Sequence, residues 1–171
     1  METIDLAGYD PSWPTIYQGE ADRLTPALAR FGLRGIEHIG STAIANMPAA
    51  KPIVDIVAGM SKIRVLPSPS QSLLGSLGYV WGNGGNVDAD WWFFIKRSSS
   101  GVRIAHLHVV PYLGKFWAEA LRFRDALRRD PSLVHVYCAL KVELAERFKN
   151  DRQRYVDGKD QFITAALATH S

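Results

Sequence analysis

A single cysteine, Cys138, occurs in 171 residues. Its isolation rules out an intrachain disulfide and a cysteine-built zinc cluster, and within an amphipathic segment it reads as buried packing rather than as a nucleophile. Also missing is any run of basic residues longer than a pair. The 20 Lys and Arg are interspersed with 17 Asp and Glu, for a formal charge of +3. That pattern argues against nucleic acid as a partner and suits a small anionic ligand. No apolar stretch is long enough to span a bilayer, and Met1 to Leu6 carries Glu2 and Asp5 rather than an apolar leader. The expectation is a cytoplasmic protein with a small-molecule substrate and no membrane partner, its oligomeric state left open.

What the chain does have is polar chemistry inside a core-like stretch. Between His38 and Val57, a Gly40-Ser41-Thr42 turn is joined to a carboxylate, Asp55, flanked by Ile53, Val54, Ile56 and Val57. Glu37 to Gly40 reads as the end of a strand. Ser41 and Thr42 read as a tight turn presenting N–H groups and hydroxyls, and Pro52 to Ala58 as a second strand. An unpaired ionised carboxylate in such surroundings is costly, so a metal, a cation or hydrogen-bond donors are expected beside it.

Apolar spacing predicts a helix over Pro14 to Phe31, capped by Ser12, stopped by Gly32 and interrupted or bent near Pro26. Strands at Gly35 to Gly40 and Pro52 to Ala58 lead through a Pro- and Ser-rich connection, Pro67 to Ser70, into a short helix ending near Gly78. Tyr79 to Trp81 reads as a short strand and Gly82 to Asn86 as a turn. Ala89 to Lys96 and Gly101 to Val110 read as a hairpin around Ser98 to Gly101. From Leu113 the pattern is helical: one helix through Arg129, a break at Asp130-Pro131, a second helix to Lys149 and a third to Ala168. This order predicts one domain over residues 1–171, α/β or α+β in class with a mixed sheet, in which the loops 44–49 and 82–88 form the lips of a site.

Strand alternation places Asp55 and Val57 on one face and His106 with His108 on one face of a later strand, so one carboxylate and two imidazoles converge if the strands share a sheet. One histidine would then act as a general base or phosphate ligand while the other orients it. The same residue types also suit a two-histidine, one-carboxylate site for iron or zinc, or a purely structural hydrogen-bonded pair. Lys51 and Arg103 are candidates for an anion or as partners of Asp55, and Lys96, Arg103 and Arg124 for a cationic rim. The run Trp91 to Phe94 must divide between two faces. Tyr155 and Lys159 fall four apart on one helical face, whereas neighbouring charges such as Arg152 and Arg154 read as a solvated surface.

These residues also make the chain resemble the GrpB-like family, a group assigned to the nucleotidyltransferase superfamily and in some proteins fused to dephospho-CoA kinase. The resemblance is carried by Tyr9 to Pro14, His38 to Ala43, Ala50 to Ile56, His106 to Val109 and Phe123 to Arg128. Towards the C-terminus it continues in Lys141 to Leu144, Tyr155, Lys159 and Phe162 to Ile163. Two places depart from the pattern. Ile44-Ala45-Asn46-Met47 stands where Val-Pro-Gly-Leu is common, and Val57 stands where the superfamily carries the second carboxylate of Asp-x-Asp.

The resemblance implies a nucleotidyltransferase-like mixed sheet with an N-terminal helix and C-terminal helices. Gly40, Ser41 and Thr42 would cradle the phosphates of a nucleoside triphosphate, and Asp55 would hold Mg²⁺, with Glu37 or Glu20 as the source of a further oxygen. Lys51 and Arg103 would offset phosphate charge, and His106 or His108 would manage a proton. The expected activity is nucleotide-dependent transfer to a small molecule. The alternatives are condensation, cyclisation or His/Asp metal chemistry on a non-nucleotide substrate, or catalytically silent binding of a nucleotide or CoA-type ligand.

Overall fold

The computed structural model describes residues 3–61, 68–82 and 90–169. Helix α1, Trp13–Ala29, runs without interruption through Pro26. Leu24 and Leu28 flank that proline in sequence and are wholly buried, while the proline itself is exposed. Burying two leucines contributes about 1.5–3 kcal/mol each, which offsets the roughly 3 kcal/mol that an interior proline costs. Ser12 makes no side-chain cap; instead its N–H donates to Asp10 at 2.8 Å.

Strand β1 (Leu33–Ile39), a 3-10 turn (Ser41–Ala43) and β2 (Val54–Met60) follow. Helix α2 (Ser68–Ser76) then leads to β3 (Tyr79–Trp81), β4 (Trp92–Arg97) and β5 (Arg103–Pro111). The five strands form one sheet in the order β1-β2-β5-β4-β3. β2 and β5 pair in parallel and the other neighbours antiparallel, so the chain between them is the crossover that a parallel pair needs. The expected β4–β5 hairpin closes through Gly101, at φ +84°, and a Ser98 N–H bond to the Val102 carbonyl. The predicted turn at 82–86, the lip at 82–88 and the connection from Pro67 lie outside the described residues except for Gly82 and residues 68–70.

The C-terminal third is helical: α3 (Lys115–Arg129), α4 (Pro131–Arg147), α5 (Arg152–Asp157) and α6 (Asp160–Thr169). Asp130 caps α4 by accepting from the N–H groups of Ser132 and Leu133, with Pro131 opening the helix. The third helix expected from the sequence is divided in two at Gly158. A Cβ at that position would lie 2.5 Å from a Leu144 methyl, so the break is where the chain presses onto α4. Among the described residues no helix is long and apolar enough to cross a membrane.

The sheet has two different faces. On one, Val54, Ile56, Ala58, Leu107, Val109, Trp92 and Phe94 join Leu24, Leu28 and Leu74 in the main core. On the other, Ile39, Val57 and Val110 pack under Trp117 of α3. Gly35 and Gly59 make the room, since a Cβ on either would come within 2.9 Å of the Trp117 ring. Along this second face, beside the Trp117 patch, β2, β5 and β4 present Asp55, His106 and Phe93. This is a mixed α/β architecture with an N-terminal helix and C-terminal helices around one sheet, as the sequence reading expects.

Candidate functional site

Asp55 and His106 are cross-strand partners in the parallel β2–β5 ladder. His106 Nδ1 lies 2.8 Å from Asp55 Oδ1, with the imidazole buried and the carboxylate side chain 29% exposed. An ionised carboxylate only accepts, so Nδ1 carries the proton. The other ring nitrogen, Nε2, receives Arg152 Nη2 at 3.4 Å, and a guanidinium only donates, so the Nε2 lone pair faces outward. Burial alone would raise the Asp55 pKa. The His106 hydrogen bond, the nearby imidazoles and Lys51 overcome it and hold the carboxyl below the usual carboxylate range.

His108 lies two residues further along the same face and is built differently. Its Nδ1 accepts from Trp91 Nε1 at 3.0 Å, and its ring packs among Trp91, Phe93 and Phe116 at centroid distances of 5.0–5.7 Å. Burial pushes its pKa down to about 4, so it is neutral with the proton on Nε2. The aromatic run divides as alternation requires. Trp92 and Phe94 enter the main core, while Trp91 and Phe93 flank the histidines.

The Gly40-Ser41-Thr42 turn sits beside the carboxylate. Gly40 adopts φ +70°, and a Cβ there would stand 2.5 Å from Asp55 Oδ2. The Thr42 hydroxyl donates to the Ile53 carbonyl at 3.3 Å and therefore accepts from His38 Nε2 at 3.0 Å. His38 is stacked on Tyr17, and burial lowers its pKa to about 4. That threonine hydroxyl is committed to holding the turn, whose contribution to a ligand would come from its backbone. Ser41 Oγ accepts from the buried Lys141 Nζ at 3.1 Å, and the same ammonium donates to the Ala49 carbonyl. Burial depresses the Lys141 pKa to about 8. Arg128 of α3 clamps the turn from outside through the Ala43 carbonyl. In the divergent 44–47 segment, Asn46 sits at φ +58°, a left-handed conformation that asparagine tolerates better than most residues.

Three cations converge on this carboxylate. Lys51 and Lys159 both lie over the Tyr155 ring, at 5.2 and 4.6 Å from its centroid, and Arg152 reaches His106 from the same helix as Tyr155. Among the described residues none of the three forms an ion pair with a carboxylate. Burial and the charges of Arg152 and Lys159 lower the Lys51 pKa to about 7. Arg103, at the start of β5, adds its charge to the same group.

The structure thus brings Gly40, Ser41, Thr42, Lys51, Asp55, Arg103 and His106 together, with His108 alongside. Lys96 and Arg124 are not part of a rim there. Lys96 points to the opposite face and pairs with Glu20 at 2.6 Å, and Arg124 pairs with Glu37 at 2.8 Å. Both glutamates considered as extra oxygen donors are therefore engaged elsewhere. Among the described residues no group of three or more His, Cys, Asp or Glu side chains is placed to hold a metal ion. Arg152, read from the sequence as solvated charge, is the residue that reasoning missed. Its spacing of three from Tyr155 and seven from Lys159, positions that share a helical face, was the available signal.

A family model described as GrpB protein matches residues 3–169. A UPF0157 protein of Pseudomonas aeruginosa is 36% identical over 178 residues, spanning 97% of this chain and 67% of that one. A dephospho-CoA kinase of Mycobacterium tuberculosis is 25% identical over 94% of this chain and 44% of its own. Among solved structures, the conserved protein GrpB from Enterococcus faecalis superposes with a TM-score of 0.76 at 27% identity, covering 97% of this chain and 96% of that one. Terminal uridylyl transferase 4 from Trypanosoma brucei, with bound dUTP, gives a TM-score of 0.54 at 9% identity, covering 95% of this chain and 55% of that one, a likeness of fold alone.

Proposed function

The chain belongs to the GrpB family, and from that membership we propose that its Asp55 pocket binds a nucleoside triphosphate and transfers part of it to a small-molecule acceptor. The observation that carries this reading is the Asp55–His106 pair opening onto Lys51, Arg152 and Lys159 beside the Gly40 turn. The nucleotidyltransferase-like fold supports it. His106 Nε2 takes the proton of the acceptor's nucleophile, the acceptor bonds to phosphorus, and the phosphate leaving group departs towards the cations. Asp55 keeps the imidazole in the tautomer that has a free Nε2 lone pair. In the unliganded protein Arg152 occupies that lone pair, and an anion draws it away.

A second reading, chemistry on a phosphate-free carboxylated substrate, is favoured by Val57. This residue is fully buried against the Trp117 cluster, so nothing at that position serves a phosphate-bound metal.

A thermal-shift and calorimetric screen of ATP, GTP, CTP, UTP and CoA derivatives, with and without Mg²⁺, separates the two. A ligand at about a hundred times its dissociation constant stabilises by roughly 2.7 kcal/mol. The transferase reading expects a shift with at least one triphosphate, retained in His106→Ala while turnover is lost. A response only to CoA derivatives, or to no nucleotide at all, would overturn it.

A further inference from the structure

The nucleotidyltransferase fold implies a divalent cation held by paired carboxylates, and the residues here do not fit one. Asp55 is alone, because the neighbouring position on its strand face is the buried Val57. One of its oxygens is engaged by His106, and the other stands beside the Gly40 backbone, where only the lack of a Cβ leaves room. Its remaining charged neighbours are cations, whereas Mg²⁺ is held by hard oxygen ligands. A metal placed among Lys51, Arg152, Lys159 and Arg103 would meet repulsion from all four.

We propose that this pocket binds a polyphosphate-type anion directly on Lys51, Arg152 and Lys159, without a protein-held divalent cation, and that Asp55 serves His106 instead of a metal. The proposal deepens the reading of this pocket as the ligand site and names what replaces the ion. Tyr155 is the organising element. Its buried ring carries Lys51, from the segment before β2, and Lys159, from the junction of α5 and α6, while α5 itself supplies Arg152. Three positive groups from two separate segments therefore surround one place, and no carboxylate among the described residues pairs with them. In the free protein their mutual repulsion is offset by Asp55 and, at Lys159, by Asp160. An anion bridging them removes it, so positive charge that elsewhere comes with a metal is here built into the chain.

The test is calorimetry with inorganic tripolyphosphate, in EDTA and in Mg²⁺, on wild type and on Asp55→Asn, Arg152→Met and Lys159→Met. Binding is expected in EDTA, at an affinity within about threefold of that in Mg²⁺, and to weaken about tenfold or more in each cation variant, the loss expected for a charge-assisted hydrogen bond. Asp55→Asn, which keeps an acceptor for His106 and removes a negative charge, should bind as tightly or more tightly. Metal-held binding predicts the opposite sign: no binding in EDTA, and loss in Asp55→Asn. Either of those results overturns the proposal, and the wild-type comparison in EDTA decides it even where a variant fails to fold. Because tripolyphosphate carries no base or sugar, its binding can succeed while the nucleotide reading fails. Conversely, triphosphate binding that requires Mg²⁺ and Asp55 would sink this proposal and leave the transferase reading standing.

Discussion

Gly40 and Asp55 meet so closely that a methyl group on Gly40 would lie 2.5 Å from the carboxylate oxygen. The contact joins the Gly40-Ser41-Thr42 turn to the Asp55–His106 pair, and it accounts for a glycine at a position with φ +70°. Gly40→Ala should therefore destabilise the protein by about 2 kcal/mol or more, combining left-handed strain with a steric clash. Urea denaturation checks this, and an unchanged midpoint would mean that the turn yields at no cost.

His106 and His108 should be opposite tautomers. Asp55 fixes the first with its proton on Nδ1, and Trp91 fixes the second with its proton on Nε2. Long-range proton–nitrogen NMR spectra read the two forms directly at neutral pH. In Asp55→Ala the His106 pattern should change and the His108 pattern persist; identical tautomers in the wild type would refute the assignment of His106 as the proton acceptor.

Acid stability should track His38. Its pKa is about 4 in the folded protein against 6.5 for the free side chain, with burial as the leading cause. Between those values the unfolded chain binds the extra proton, so stability rises with pH across the window and is lost as pH falls through it. The shift corresponds to something on the order of 3 kcal/mol. His38→Gln keeps a donor for Thr42 without a titrating ring, and its stability should fall less steeply from pH 6.5 to 4 in denaturant titrations. Parallel slopes for the two proteins would count against a neutral, buried His38.

Lys51 should take up a proton when an anion binds. Burial, Arg152, Lys159 and Arg103 depress its pKa to about 7 while Asp55 alone raises it. A polyphosphate laid between these groups favours the charged ammonium. Affinity for tripolyphosphate should then fall as pH rises above 7, and calorimetry at pH 8 in buffers of different ionisation enthalpy should register proton uptake. The Lys51→Met variant should lack that component, and equal uptake in both proteins would assign it to some other group.

Much of the frame is legible in the sequence because each element carries a local signal. The Ser98 to Gly101 turn announces the β4–β5 hairpin, Asp130-Pro131 announces the start of α4, and alternation alone puts His106 and His108 on one face. Alternation also bears on Lys96, since Ile95 rather than Lys96 is the partner of His106. The misreadings are tertiary. α1 continues past Pro26 because Leu24 and Leu28 are buried, and the last helical stretch divides at Gly158 because Leu144 lies against it. For Arg152, the helical spacing puts it on the face of Tyr155 and Lys159, but only the tertiary fold shows that the guanidinium reaches an imidazole 46 positions away.

The parallel pairing of β2 with β5 also bears on when in folding the Asp55–His106 pair forms. Asp55 and His106 are separated by 51 residues, whereas the paired positions of the antiparallel ladders are much closer in sequence. Closing the larger loop carries the greater entropic cost, so the β1–β2 and β4–β5 hairpins have the kinetic advantage and the strand pairing between them follows. The dyad is thus completed at the step that unites two preformed halves of the sheet. The pair exists only when that long-range docking is done, and partly folded chains carry the aspartate and the histidine apart.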